Sequence, residues 1–173
     1  MLQGKYDALL SPAKAEAPNL IYPKHEVGKQ RMCFFTKKSS QWSYSGPKSL
    51  ANLQIGIAVD TSIEELNEYV KNNLAQFQFQ PYHERYVLQN ARKLDKKRTD
   101  TFLMTKNTTL YSLSLAGLSE GYREAGCVSI TPIFMAFTPE LSKQNNVEEM
   151  TLVFDRRMAE INKTPFLEKL MQR

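Results

Sequence analysis

Histidine is almost missing from this sequence, and with it go most routes to metal or acid–base chemistry. His25 and His83 are the only two in 173 residues. Each follows shortly after a proline in a polar segment, with no second histidine, cysteine or paired carboxylate at ligand spacing. A surface histidine is the expectation for both. Cysteine is equally scarce: Cys33 and Cys127 form neither a CxxC pair nor a metal-ligand spacing. Both sit in apolar, strand-like runs, so two buried thiols are expected. A disulfide forms instead if those strands are neighbours in an oxidising compartment. The 7 glycines build no phosphate-cradling loop, and neither GxSxG nor HExxH occurs. No apolar run is long enough to span a bilayer. Met1–Leu10 lacks the charged start and apolar core of a signal peptide. No catalytic constellation is present, so the expectation is a protein without enzyme activity, metal or cofactor.

What is present is the composition of an ordinary globular chain, 42% hydrophobic and 24% charged. The net charge of +5 is dispersed. Its densest cluster, Arg92-Lys93 with Lys96-Lys97-Arg98, lies between a helix and a strand and reads as a solvated helix end complementing the dipole. Nucleic-acid binding needs a larger basic stripe with interleaved aromatics, so no nucleic-acid partner is expected.

Secondary structure follows from periodicity. Tyr6–Leu10 reads as a strand, Ser11–Pro18 as a loop and Asn19–Tyr22 as a short extended piece. Gln30–Thr36 is an aromatic, apolar strand, and Lys37–Ser49 a polar linker carrying Trp42 and Tyr44. Ser49–Leu53 reads as a helical turn. Leu53–Asn73 then combines a buried strand (Ile55–Val59), a polar turn (Asp60, Thr61, Ser62) and an amphipathic helix with Ile63, Leu66 and Val70 on one stripe. Thr61 or Ser62 is placed to cap that helix, with Glu64 or Glu65 in capping-box register. Gln76–Gln80 is a strand with Phe77 and Phe79 on one face. Tyr86–Leu94 is a helix, Thr101–Thr105 a strand and Thr108–Leu118 a helix. This β-α-β-α-β-α order implies a parallel sheet covered on both faces. Gly121–Gly126 is expected to interrupt it. Cys127–Phe137 reads as two strands bent at Thr131-Pro132, because proline removes a ladder hydrogen bond. Asn146–Asn162 is a helix with Val147, Met150, Val153, Phe154, Met158 and Ile161 on one face, and Pro165–Gln172 a short closing helix.

In this order the pieces resemble the polar-amino-acid type of periplasmic, or extracytoplasmic, solute-binding proteins that serve ABC importers. Gly4-Lys5-Tyr6-Asp7-Ala8 is similar to the family's G-x-y-D-a strand. Ser49-Leu50-Ala51-Asn52-Leu53-Gln54-Ile55-Gly56-Ile57 resembles its s-L-x-d-L-k-G-x-x-I-G-v segment, slightly shortened. Lys97-Arg98-Thr99-Asp100-Thr101-Phe102 resembles its g-R-x-D-a-f strand, and Phe134-Met135-Ala136-Phe137-Thr138 its return strand. Phe154 through Leu167 resembles the closing helix pair.

The resemblance implies an α/β fold of two lobes, each a mostly parallel sheet flanked by helices. Two crossover strands join the lobes, and hinge bending there closes them on a ligand. Lobe two would span 49–122, partial lobe one 1–48 with 130–173, and the crossovers would lie near 37–48 and 123–131. The family's first β-α-β-α stretch, about 80 residues long, has no counterpart here. The chain is therefore expected to be a truncated form, with lobe one incomplete, weak ligand binding and a tendency to self-associate. It would be periplasmic if a signal peptide lies upstream.

Site residues carry over unevenly. The family's carboxylate-binding arginine falls at Ala17, and its amine-binding aspartate at Thr105, beside Lys106. Ordinary α-amino acids are therefore not the expected ligand. The ligand-binding candidates are Asp60, Thr61 and Ser62 at a helix N-terminus, Thr105, and Trp42 and Tyr44 as an apolar wall. The expected partners are a small polar organic solute and a membrane permease. Three other readings remain open: the sensory domain of a receptor, a remnant without ligand, and a small enzyme using Asp60, Glu16 or Lys106.

Overall fold

The computed structural model describes residues 7–59, 61, 63–139 and 146–161. In chain order the strands are β1 (Ala8–Leu10), β2 (Gly28–Lys37), β3 (Ile55–Ala58), β4 (Phe77–Gln80), β5 (Thr101–Thr105), β6 (Tyr122–Ile133) and β7 (Met135–Phe137). The helices are α1 (Glu64–Asn72), α2 (Tyr86–Asp95), α3 (Lys106–Leu115) and α4 (Asn146–Ile161). Backbone packing divides the chain into two compact units, Met1–Lys29 with Thr131–Arg173, and Gln30–Ile130. The chain passes between them within β2 and again within β6.

The second unit is a five-stranded mixed sheet in the order β4-β3-β5-β2-β6. Strands β4, β3 and β5 run parallel, each followed or preceded by a helix, and β2 runs antiparallel to β5. Alternation along each strand builds two cores. Phe35, Phe102 and Met104 face α2 and α3, packing with Tyr86, Ala91, Leu94 and Leu113. Phe34, Leu103, Ile55 and Ile57 face α1 and the 42–53 segment, packing with Ile63, Leu66 and Leu50. The expected α1 stripe is therefore the one buried.

The first unit, among the described residues, pairs β1 antiparallel with β7, with Ala8 opposite Phe137. Ile21 bridges the other side of Phe137 through two backbone hydrogen bonds of 2.8 and 2.9 Å. Helix α4 is fastened by Asp155, whose carboxylate accepts the backbone N–H groups of Lys24 and His25 at 3.0 and 2.8 Å.

Several expectations are corrected. Cys33 and Cys127 are not free thiols: they form a disulfide. Their strands β2 and β6, far apart in sequence, are hydrogen-bonded neighbours, which is the condition a linear reading could not supply. Gly121–Gly126 does not interrupt the sheet, and Pro132 does not bend it. β6 begins at Tyr122, directly after a 3-10 turn at Ser119–Gly121, runs through Gly126 and Pro132, and the break comes at Phe134. As an edge strand, β6 loses no ladder bond to the proline. Gly126 instead serves a close approach, at φ 123°, where a Cβ would strike the backbone oxygen of Tyr44. Helix α1 has Ile63 at its N-cap with no capping side chain. The Ile63 N–H is taken by the Asn67 side-chain oxygen at 3.1 Å, so Thr61 does not cap, and Ser62 lies outside the described residues. The expected turn at Ser49–Leu53 is a 3-10 turn at Pro47–Leu50. α3 begins directly after β5, at Lys106. Of the expected α4 face only Val147 and Met158 are buried, and Pro165–Gln172 lies outside the described residues.

Candidate functional site

The geometry of the second unit places two of the expected residues at one edge. β3 and β5 are adjacent and parallel, with Ile55 opposite Thr101, so their carboxyl ends reach the same side of the sheet. Each leads into a helix there, β3 into α1 and β5 into α3. Thr61 lies in the first connection, half-buried, its N–H donating to the Ala58 carbonyl at 3.1 Å. Thr105 is the last residue of β5, and its hydroxyl donates to the Thr108 hydroxyl at 2.8 Å. Asp60 and Ser62, the sequence neighbours of Thr61, lie outside the described residues.

The two helix starts differ in charge. The first turn of α1 carries Glu64 and Glu65, which offset the positive end of its dipole. The first turn of α3 carries no acidic residue. Its Lys106 is paired with Glu124 at 2.6 Å, both side chains about a third exposed.

Trp42 and Tyr44 are placed elsewhere, over the core. The Trp42 ring meets Phe34 edge-on at 5.7 Å, and its indole N–H donates to the Ser49 carbonyl at 2.9 Å. Tyr44 lies against the same phenylalanine at 4.9 Å, and its backbone N–H donates to the Ala125 carbonyl at 2.6 Å. Burial and the nearby Glu65 carboxylate push the Tyr44 phenol up. Trp42 also walls a depression of about 310 Å³ with Lys37, Leu53, Lys97, Thr99 and Asp100. These residues flank the amino end of β5, so the depression and the Thr61–Thr105 edge lie at opposite ends of the sheet. The Thr99 hydroxyl is buried there without a partner among the described residues. Sequence reasoning did not find this depression, since Lys37, Trp42 and Asp100 meet only through strand pairing.

The remaining candidates are engaged. Glu16 accepts the Ala13 N–H at 2.9 Å, and the Ala17 carbonyl accepts the Tyr22 hydroxyl at 2.8 Å. His25 is held by Asp155 at 3.0 Å, rather than standing free on the surface. His83 is exposed and contacts Gln89 at 3.2 Å. Cys33, Cys127 and Glu124 cluster closely, but the disulfide leaves neither sulfur as a thiolate ligand. No described helix is long and apolar enough to cross a membrane.

No family model matches this chain, and no curated protein matches it by sequence. Its fold, in contrast, is shared with solved structures. It superposes on the probable amino-acid ABC transporter extracellular-binding protein ytmK from Bacillus subtilis with a TM-score of 0.69, covering 98% of this chain and 71% of that one at 16% identity. A structure from the glutathione import system of GshT and the cystine ABC importer TcyBC of Streptococcus mutans gives 0.66, covering 98% and 69% at 14% identity. A histidine kinase sensor domain with similarity to periplasmic binding proteins gives 0.64, covering 94% and 69% at 12% identity. The ancestral amino acid-binding protein AncCDT-1, a precursor of cyclohexadienyl dehydratase, matches at 0.62 and 12% identity. The chain thus has the periplasmic-binding-protein-like fold, a fold occupied mostly by binding proteins and also reached by a dehydratase lineage.

Proposed function

We propose that this chain is a non-catalytic solute-binding protein of an ABC-type importer, taking up a small polar organic solute for a membrane permease. The observation that carries this reading is the fold shared over nearly the whole chain with extracellular amino-acid-binding proteins. Thr61 and Thr105 support it, since open α/β sheets hold ligands at the carboxyl ends of their strands. Residues 49–122 are assigned to lobe two, with Asp60, Thr61, Ser62 and Thr105 as its ligand contacts. Trp42 and Tyr44 support the core behind them. With Ala17 and Thr105 at the charged-anchor positions, the ligand is a solute bound through hydroxyl and amide hydrogen bonds rather than through paired charges.

The Cys33–Cys127 disulfide supports an oxidising, extracytoplasmic location. The engagement of Glu16 and Lys106 in structural contacts supports a non-catalytic role. The likeness to a sensor domain favours a second reading, ligand recognition for signalling.

An amide-resolved NMR titration with polar solutes tests the first reading and also detects weak binding. A solute that shifts the Thr61 and Thr105 amides, and loses affinity in Thr105→Val, is expected. Solutes that bind without touching either residue would overturn the assignment. Stimulation of a permease's ATP hydrolysis by the loaded protein separates import from signalling.

A further inference from the structure

Helix α2 carries a second, chemically different surface. Gln89, Arg92, Lys93 and Lys96 fall at i, i+3, i+4 and i+7 and so share one stripe. The turn after α2 returns Arg98 to the same place, its N–H donating to the Lys93 carbonyl at 2.9 Å. The Gln78 side chain from β4 holds the Arg98 carbonyl at 2.7 Å. Together these five residues line a depression of about 230 Å³. Four of the five are cations, and no carboxylate is among them.

Local neutralisation does not account for this cluster. None of Arg92, Lys93, Lys96 and Arg98 makes an ion pair among the described residues. Lys37, Lys38 and Lys106 in the same unit all do. Asp95, the acidic residue of α2, is turned to Lys37 and Tyr122 instead. The carboxyl end of a helix amounts to about half a negative charge, far less than the four positive charges gathered here.

A second observation points the same way. Lys93 reaches inward, its ammonium held by the Gln80 side-chain oxygen. The amide nitrogen of that glutamine is buried with no acceptor among the described residues. Burial and the neighbouring Arg98 charge both push the Lys93 ammonium toward deprotonation. A bound anion would offset the mutual repulsion of the cations.

We propose that the α2 stripe with Arg98 is a binding site for a multiply charged phosphate group, separate from the solute site at the carboxyl edge of the sheet. Two arginine forks and two lysine ammonium groups suit the tetrahedral oxygens of a phosphomonoester or pyrophosphate. The phosphate belongs either to a free solute or to a lipid headgroup.

The test is a titration of the intact chain with pyrophosphate at about 0.15 M salt, where diffuse attraction is largely screened. Amide shifts confined to Gln89–Arg98 are expected. Lys93→Gln with Arg98→Gln should weaken binding by about tenfold or more, while Lys38→Gln, which removes a positive charge elsewhere on this unit, leaves it unchanged. If the double variant fails to fold by circular dichroism, Lys96→Gln replaces it, because that exposed side chain has no partner among the described residues. Vesicles containing phosphatidic acid distinguish the sources: binding lost in the variants assigns a lipid headgroup, and no binding assigns a free phosphate. No shift with pyrophosphate, an equal loss in Lys38→Gln, or binding only to an oligonucleotide would overturn the proposal.

Discussion

The side-chain oxygen of Asn90 occupies the space that a Cβ on Gly56 would fill. Strand β3 and helix α2 approach that closely because Gly56 has no side chain. Asn90 is fully buried, donates to the Tyr86 carbonyl at 3.0 Å and leaves its own oxygen without a donor. Gly56→Ala is therefore expected to cost about 1–3 kcal/mol through overpacking. Adding Asn90→Ala should recover part of the loss, a coupling readable in a urea double-mutant cycle. Strict additivity of the two changes would show that they do not meet.

The disulfide joins residues 94 apart. A cross-link closing a loop that long stabilises by about 4.7 kcal/mol in chain-entropy terms. Reduction should lower the midpoint of thermal unfolding by roughly 10 °C. A Cys33→Ser, Cys127→Ser double variant should melt at the reduced value and ignore reductant. Equal melting with and without reductant in the unmodified chain would contradict the bond's structural role.

Asp155 links α4 to the Lys24–His25 segment. Partial burial pushes its carboxyl up, but the two backbone N–H groups and the His25 ring outweigh this and hold it below the ordinary 3.8. A depressed folded value contributes stability that is complete above the unfolded value and is lost as pH falls through the folded one. Asp155→Asn should cost about 1–2 kcal/mol at neutral pH. The gap to the unmodified chain should then narrow below about pH 4. A gap that stays constant from neutral pH into acid would remove the carboxylate from the account.

Tyr122 donates to Asp95 at 2.8 Å. Burial first, and then that carboxylate, push the phenol up to about 12. The same hydrogen bond is the largest influence holding Asp95 below its ordinary value, with Lys37 assisting against the effect of burial. In Tyr122→Phe the Asp95 carboxyl should titrate nearer the usual aspartate range, as followed by its side-chain carbon resonance. An unmoved titration would mean that Lys37 alone sets it.

Trp42 is the one tryptophan in the chain. Its ring packs on Phe34 and its N–H is bound to Ser49. Trp42→Phe should keep most of the packing and cost about 1 kcal/mol for the lost hydrogen bond. A stability-neutral Trp42→Phe would return the indole to the list of ligand contacts.

Much of the second unit was legible because its signals are local. The β-α-β-α-β-α order between 53 and 119, the stripe of Ile63 and Leu66, and the limits of β5 all follow from period and burial within short windows. The missed features depend on pairing. Pro132 and Gly126 looked like interruptions until β6 took an edge position. Thr61 and Ser62 looked like caps because their types were right, yet Ile63 holds that place. Of the site, the turn at Thr61 was found as a helix start, whereas Thr105 was singled out only through the family resemblance, at the end of an expected strand. The depression beside Trp42 was not, because it is assembled from three separate segments.

By itself the sequence determined the amphipathic faces and the strand–helix alternation. These are properties of residue type and spacing, and they hold wherever the elements lie. Only the tertiary structure decided that Cys33 meets Cys127, that Arg98 returns to the α2 stripe, and that Thr61 and Thr105 share one edge. Each of those depends on which strands are neighbours, and neighbours are chosen by the summed burial of a whole sheet rather than by any one segment.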